Sequence, residues 1–265
     1  MSGIDQRYEF ARNTARKAGA LALRYFNDLG SLTVHSKGVQ DMASEADVNT
    51  EALIRQEVAE HFAGDAFLGE ESSQSFVPVP GAGTWIVDPI DGTQPFVNGI
   101  RSWCISIAFY QDQRIRIGVV YDPTSDELFS AQEGKGAVLN GRPIRATSAK
   151  SVREGLVSVG FSNRVQVGDT LDPLGRLLHA GGMFHRSGSG ALSLSYVAAG
   201  RLIGYFEPHM NSWDFAAGAL LVREAGGTTN DCLPNESVMV DGGMIIAAGK
   251  GLYGELEGLI LDRPK

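Results

Sequence analysis

The sequence predicts a mixed α/β fold in two joined halves, α+β over residues 1–150 and α/β over residues 151–265. Three observations predict it. A helix-period apolar stripe opens the chain, three β-type runs follow one another between Trp103 and Ala131, and from about Leu156 strand-like runs alternate with helix-like ones. At roughly 150 residues per domain, the 265 residues make one large domain or two intimate ones. The rhythm changes softly between Ser148 and Arg153, with no internal repeat and no low-complexity linker.

Taken in order, Phe10, Ala11, Ala15, Ala18, Leu21, Ala22 and Tyr25 recur at helical spacing, predicting a helix over Tyr8–Phe26 that Asn27-Asp28-Leu29-Gly30 closes. Leu53, Ile54, Val58 and Phe62 give a second helix over Ala46–Phe62. Ala66–Gly69 reads as a short strand ending at Glu70, and Thr84–Val87 as a buried strand ending at Asp88. Trp103–Tyr110, Arg114–Tyr121 and Glu127–Ala131 form an antiparallel meander. Strands then follow at Val157–Phe161, Leu202–Phe206 and Met244–Ala248. Helices follow at Leu171–Ala180 (Pro173 in its first turn), Ala191–Ala199, Asp214–Ala225 and Leu252–Leu261.

The chain is 43% hydrophobic and 20% charged, ordinary for a protein with a substantial core. Its net charge of −8 repels nucleic-acid phosphates and anionic lipid heads, and no Lys/Arg-rich run reverses this locally. Neither nucleic acid nor membrane is an expected partner. Cys104 and Cys232 make no metal spacing and are expected as free thiols. The N-terminus is polar and no apolar run approaches the ~20 residues of a membrane span, so the expected location is cytoplasmic.

The most informative segment is Trp85-Ile86-Val87-Asp88-Pro89-Ile90-Asp91-Gly92-Thr93. Two carboxylates lie three residues apart at the end of an apolar strand. Pro89 stiffens the turn between them, so both carboxylates and the Ile90 carbonyl can aim at one point. Gly92 admits close backbone approach, and a short helix beginning at Thr93 would turn N–H groups toward an anion. Hard oxygens beside an anion-binding turn suit magnesium. Asp-Pro and Asp-Gly are also common turn dipeptides, but a surface turn has no reason to follow Trp-Ile-Val. Three further pieces are ambiguous alone. Glu70 is a ligand or a solvated strand end, Asp214 a ligand or an N-cap, and Gly188-Ser189-Gly190 an oxygen-binding turn or a plain loop. The five histidines are scattered without zinc spacing.

Together and in this order, Gly69-Glu70-Glu71-Ser72, the Asp-Pro-Ile-Asp-Gly-Thr stretch and Trp213-Asp214 running into Ala-Ala-Gly resemble the inositol monophosphatase family of magnesium-dependent, lithium-sensitive phosphatases. The resemblance covers nearly the whole chain. It implies a layered α/β/α/β/α sandwich, a homodimer and hydrolysis of a small phosphorylated metabolite. It implies one Mg²⁺ on Glu70, Asp88 and the Ile90 carbonyl, a second on Asp88, Asp91 and Asp214, and a weaker third near Glu70, with Li⁺ as inhibitor. Glu70 and a Thr93–Asp47 pair would act on the attacking water. The phosphate would lie on the backbone of Gly92 and Thr93, and other substrate contacts on Gly188, Ser189, Gly190 and Glu207. Lys37 matches a lysine of the mobile N-terminal loop.

After Asp-Gly-Thr the chain departs from the family. Gln94-Pro95 matches neither the small residue and Asn usual in inositol monophosphatases nor the Lys-Glu of nucleotide-bisphosphate phosphatases. Pro95 suits the first turn of a helix, so the departure bears on the substrate. His209-Met210-Asn211 falls where a leaving alcohol would be recognised. Inositol phosphates, histidinol phosphate, sugar phosphates and adenosine 3′,5′-bisphosphate stay open, as does a regulatory scaffold with vestigial activity.

Overall fold

A computed structural model describes residues 3–38, 41–79, 81–233 and 236–262. Helix α1 (Gly3–Phe26) leads into the hairpin β1 (Val34–Gly38) and β2 (Asp41–Ser44), then α2 (Glu45–His61). Strands β3 (Ala66–Gly69) and β4 (Thr84–Asp91), the short α3 (Thr93–Val97), β5 (Cys104–Gln111), β6 (Arg114–Asp122) and β7 (Glu127–Gln132) follow, with β8 (Ala137–Leu139) and β9 (Arg142–Pro143) completing the first sheet. The second half holds β10 (Leu156–Val159), α4 (Gly168–His179), β11 (Met183–His185), α5 (Gly190–Ala198), β12 (Gly204–Met210), α6 (Ser212–Glu224), β13 (Gly227–Thr229), α7 (Glu236–Asp241), β14 (Gly243–Gly249) and α8 (Tyr253–Leu261).

The 7-stranded sheet runs β3 through β9 in chain order, with only β3 and β4 parallel. The 5-stranded sheet has the order β11-β10-β12-β14-β13, its first three strands parallel. The fold is therefore α/β with five layers. Helices α1 and α2 cover the outer face of the first sheet, α5 and α6 lie between the sheets, and α4 and α8 cover the outer face of the second.

Period-2 alternation explains why both faces of the first sheet are apolar. Ile105, Ile107 and Phe109 of β5 pack against α1 and α2, while Cys104, Ala108 and Tyr110 of the same strand face α6. Trp85 packs its ring at 5.3, 5.6 and 4.9 Å from those of Phe10, Phe62 and Phe109. Its Nε1–H donates to Asp65 Oδ2 at 3.0 Å, and Arg7 closes on the same carboxylate. Helix α6 is buried on almost every side, as its sequence Trp-Asp-Phe-Ala-Ala-Gly-Ala-Leu-Leu-Val implies. It approaches β6 so closely that a Cβ on Gly118 would sit 2.5 Å from the Ala217 carbonyl oxygen.

The meander and the long helices lie where the sequence puts them, and both cysteines are free and buried. Three readings change. The strand read as ending at Asp88 continues to Asp91. Helix α4 begins at Gly168, where Asp169 accepts the Gln166 N–H at 3.0 Å, so Pro173 is buried in the second turn rather than placed in the first. Asp214 stands three residues beyond the N-cap Asn211 of α6. Lys37 falls in β1, and its side chain lies outside the described residues. Among the described residues no helix is long and apolar enough to cross a membrane.

Gly118→Val is expected to destabilise the fold by about 1–3 kcal/mol, because backbone and not a flexible side chain meets the new methyls. A lowered urea midpoint with unchanged slope is the measurement.

Candidate active site

Residues three apart on a regular strand point to opposite faces. Asp88 and Asp91 escape this because β4 carries a bulge. Asp88 pairs with Ser106 and Asp91 with Cys104, so Pro89 and Ile90 stand opposite Ile105 alone. A bulge also tolerates the missing N–H of Pro89. Asp88 tightens the turn through Oδ1, which accepts the Ile90 N–H at 2.9 Å. Glu70 reaches the same place because β3 runs parallel to β4, with Gly69 paired to Val87. Asp214 comes from the first turn of α6, where its Oδ2 accepts the Asn211 N–H at 3.1 Å. One carboxylate oxygen each from Asp88, Asp91 and Asp214 lies within 4.8 Å of the others. With Glu70 and Ile90 they line a cavity of about 540 Å³.

Asp91 is the most tightly held. Its Oδ2 accepts the Ser189 hydroxyl and the Ala191 N–H, each at 2.6 Å, and its Oδ1 accepts the Gly190 N–H at 3.4 Å. It thus sits at the N-terminus of α5, where free N–H groups and the helix dipole favour a negative charge. Ser189 and Gly190, read from sequence as substrate contacts, direct these polar groups at Asp91. Gly188, one residue earlier, lines the main cavity.

Burial pushes the Asp88 carboxyl well above its usual range, with the charges of Glu70, Asp91 and Asp214 adding to it. Asp214 is raised to about 8, by burial first and then by Asp91. Asp91 is raised by burial too, against the lowering effect of its Ser189, Ala191 and Gly190 donors. Among the described residues no basic side chain forms an ion pair with Asp88, Asp91 or Asp214. Oxygen-only donors that repel one another, buried at Asp88 and Asp91 and half-buried at Asp214, fit a hard divalent cation, which would relieve their repulsion on binding.

Thr93 starts α3 after Gly92, whose φ of +99° and whose distance of 2.7 Å from a would-be Cβ to the Ser102 carbonyl both demand glycine. The Thr93 hydroxyl lies 3.3 Å from both Asp47 Oδ1 and the Ile90 carbonyl, so one proton is offered to two acceptors. Asp47 is fully buried. Its Oδ2 accepts the Ser44 N–H at 2.8 Å and the Ser44 hydroxyl at 2.6 Å in the capping box of α2. Pro95 occupies the first turn of α3 as its sequence suggests, and the Gln94 Nε2 beside it is buried with no partner among the described residues.

The opposite wall comes from the second sheet, where the C-terminal ends of the parallel strands open onto the cavity. Glu207 follows Phe206 on β12, Arg186 follows β11, and Arg164 lies in the loop after β10. The Tyr205 hydroxyl donates to Glu207 Oε2. Burial raises the Glu207 carboxyl to about 7, against the lowering effect of Tyr205, Arg186 and Arg164. His209 also faces the cavity, with Nε2 2.9 Å from the Asp241 carbonyl oxygen. Sequence reasoning passed over Arg164 altogether and gave Arg186 no role. The signal available was the place of Arg164 just after the Val157–Phe161 strand, whereas the strand before Arg186 is too short to read.

The family model described as the inositol monophosphatase family matches residues 4–262. The chain belongs to the inositol monophosphatase family. Nus factor SuhB of Escherichia coli (strain K12) is 35% identical over 242 residues, 89% of this chain and 88% of its own. An inositol-1-monophosphatase of Rhizobium meliloti (strain 1021) is 39% identical over 217 residues, 81% of each chain. The crystal structure of extragenic suppressor protein suhB from Bartonella henselae matches with a TM-score of 0.89 at 33% identity, covering 97% of this chain and 98% of that one. Membership in the inositol monophosphatase family supports phosphatase chemistry on a small phosphate monoester, and the acidic cluster is consistent with a metal site.

After chelation, stability is expected to fall as pH rises. Asp214 keeps its proton in the folded state up to about 8 but loses it near 3.8 when unfolded. Across that window the native state binds more protons than the unfolded one, so its contribution shrinks with rising pH. Melting curves of chelated protein from pH 5.5 to 8.5 should show this decline, and Asp214→Asn should flatten it and raise Tm at pH 8.

Proposed function

We propose that the chain hydrolyses a small phosphate monoester at this cavity with Mg²⁺ as cofactor. The observation that carries the reading is the convergence of Asp88, Asp91 and Asp214 within 4.8 Å, beside Glu70 and without a basic partner for the three aspartates among the described residues. Glu70, Asp88 and the Ile90 carbonyl would hold one ion, and Asp88, Asp91 and Asp214 a second. Bound there, the cation supplies electrophilic stabilisation of a phosphoryl group and a lowered pKa for water.

The chain's own groups then have defined work. Thr93 Oγ1 passes its proton toward Asp47 Oδ1 and turns a lone pair to the attacking water, and Glu70 accepts a second hydrogen of that water. Asp47 stays aimed because Ser44 holds its other oxygen. The Gly92 and Thr93 N–H groups receive phosphate oxygens. Gly188 and Glu207 face the leaving alcohol, and Tyr205 orients the Glu207 carboxyl. Positioned charge contributes most in such a reaction, because the transition state spreads charge over oxygens.

Phosphate release from inositol 1-phosphate, histidinol phosphate and sugar phosphates should require Mg²⁺ and cease on chelation. Asp88→Asn should lower kcat at least ~100-fold, a loss typical of removing transition-state charge stabilisation. Thr93→Ala should lower kcat about as far, while Thr93→Ser, which keeps the hydroxyl, retains most of it. Full turnover after exhaustive chelation would overturn the reading.

The name Nus factor carried by the Escherichia coli relative favours a second reading, a regulatory role through a partner. Replacing the native gene with the Asp88→Asn form separates the two. A growth defect matching the deletion supports catalysis, and wild-type growth supports the regulatory role.

A further inference from the structure

The cavity has two walls of different chemistry. The first-sheet wall carries Glu70, Asp88 and Asp91, joined by Asp214. The second-sheet wall carries Arg164 and Arg186 together with a single carboxylate, Glu207. The strand order β11-β10-β12 brings these three residues to one end of a parallel trio: Arg186 directly follows β11, Arg164 lies in the loop after β10, and Glu207 stands on β12 just past its pairing with β10. Among the described residues neither guanidinium makes a side-chain hydrogen bond or an ion pair, although both act electrostatically on Glu207. Elsewhere the protein closes its arginines readily. Arg7 binds Asp65 through two nitrogens at 2.9 Å each, Arg201 grips Glu127, and Arg176 caps carbonyls of α8 at 2.6 and 2.9 Å. Arg24, Arg101, Arg142 and Arg145 also have open forks among the described residues, so what distinguishes Arg164 and Arg186 is that their open forks line the cavity beside Glu207.

We infer that Arg164 and Arg186 form a second anion subsite, so that the preferred substrate is a phosphate monoester whose leaving group carries a further oxyanion, either a carboxylate or a second phosphate. This inference rests on the hydrolase reading and names its substrate class. A planar guanidinium fork matches both oxyanions in bidentate fashion. A neutral polyol would take hydrogen bonds from the two forks but would lack the charge-assisted, bidentate pairing that an oxyanion offers. The exchange also explains the division of the cavity: the scissile phosphoryl group belongs with the acidic wall and its cations, and a second anion placed there would compete for the same cations. On the opposite wall it meets permanent positive charge, because arginine does not deprotonate at physiological pH. Glu207, held by Tyr205, faces a hydroxyl of the leaving group beside the arginines.

The test uses matched pairs on the whole protein with Mg²⁺. Inositol 1,4-bisphosphate against inositol 1-phosphate tests a second phosphate, and 3-phosphoglycerate against glycerol 3-phosphate tests a carboxylate. The wild type should favour the anionic member of at least one pair in kcat/KM. Which pair shows the preference distinguishes carboxylate from phosphate. Arg164→Gln and Arg186→Gln should each lower the ratio of anionic to neutral kcat/KM about tenfold or more, mainly through KM, and the wild-type preference should weaken with added salt. A neutral member preferred in both pairs, or a ratio unmoved by either substitution, overturns the inference while leaving the hydrolase reading intact. If no compound releases phosphate, the hydrolase reading fails, and calorimetry with the same four compounds still decides the subsite. Binding of an anionic member that the double substitution weakens at least tenfold supports it, and equal binding to both proteins overturns it. Both arginines are exposed, so the variants should melt with the wild type.

Discussion

Mutual repulsion among carboxylates that are buried or half-buried is the constraint around which the molecule is organised. Asp88, Asp91 and Asp214 come from a strand bulge and a helix first turn, and each is pinned by backbone N–H donors at the place where repulsion would otherwise drive them apart. The donor to Asp88 comes from the β4 bulge itself, and those to Asp91 and Asp214 come from the N-terminal ends of α5 and α6, which meet at the end of β4. The helices in turn are fixed by lying between the two sheets, each with an apolar face toward them. The layered architecture can therefore be read as the frame needed to hold like charges close.

Burial and satisfaction act in opposite directions on these groups. Removing water raises the carboxyl pKa values, and the donors around Asp91 partly restore its charge. Asp88 receives less such help and feels three acidic neighbours, so burial and repulsion both push its carboxyl well above the usual range. Binding a cation would reverse these effects together. A site of this kind is unfavourable for the empty fold and favourable for the loaded one.

Much of this was legible in the chain. Trp85 to Thr93 shows an apolar strand that delivers two acids, and the meander from Trp103 to Ala131 shows its period directly. What stayed hidden depends on contacts across long sequence separations. No local pattern shows that Ser189 gives its hydroxyl to Asp91, 98 residues earlier. The bulge at Pro89 and Ile90 depends on the partner strand as much as on the proline. Short strands such as β11 and β13, three residues each, offer too little alternation to read. Arg164 and Arg186 look like ordinary loop cations until the parallel strands beneath them set their direction.

Asp47 joins two demands in one side chain. One oxygen starts α2 by holding Ser44, and the other faces the Thr93 hydroxyl. Shortening, lengthening or neutralising this carboxylate disturbs a helix start and a hydroxyl orientation together. Natural selection on foldability and on turnover therefore acts on the same two atoms. A homologue that drifted away from catalysis would still be under pressure to keep an acid here, so an aspartate at this position, taken by itself, is weak testimony that a relative is an enzyme.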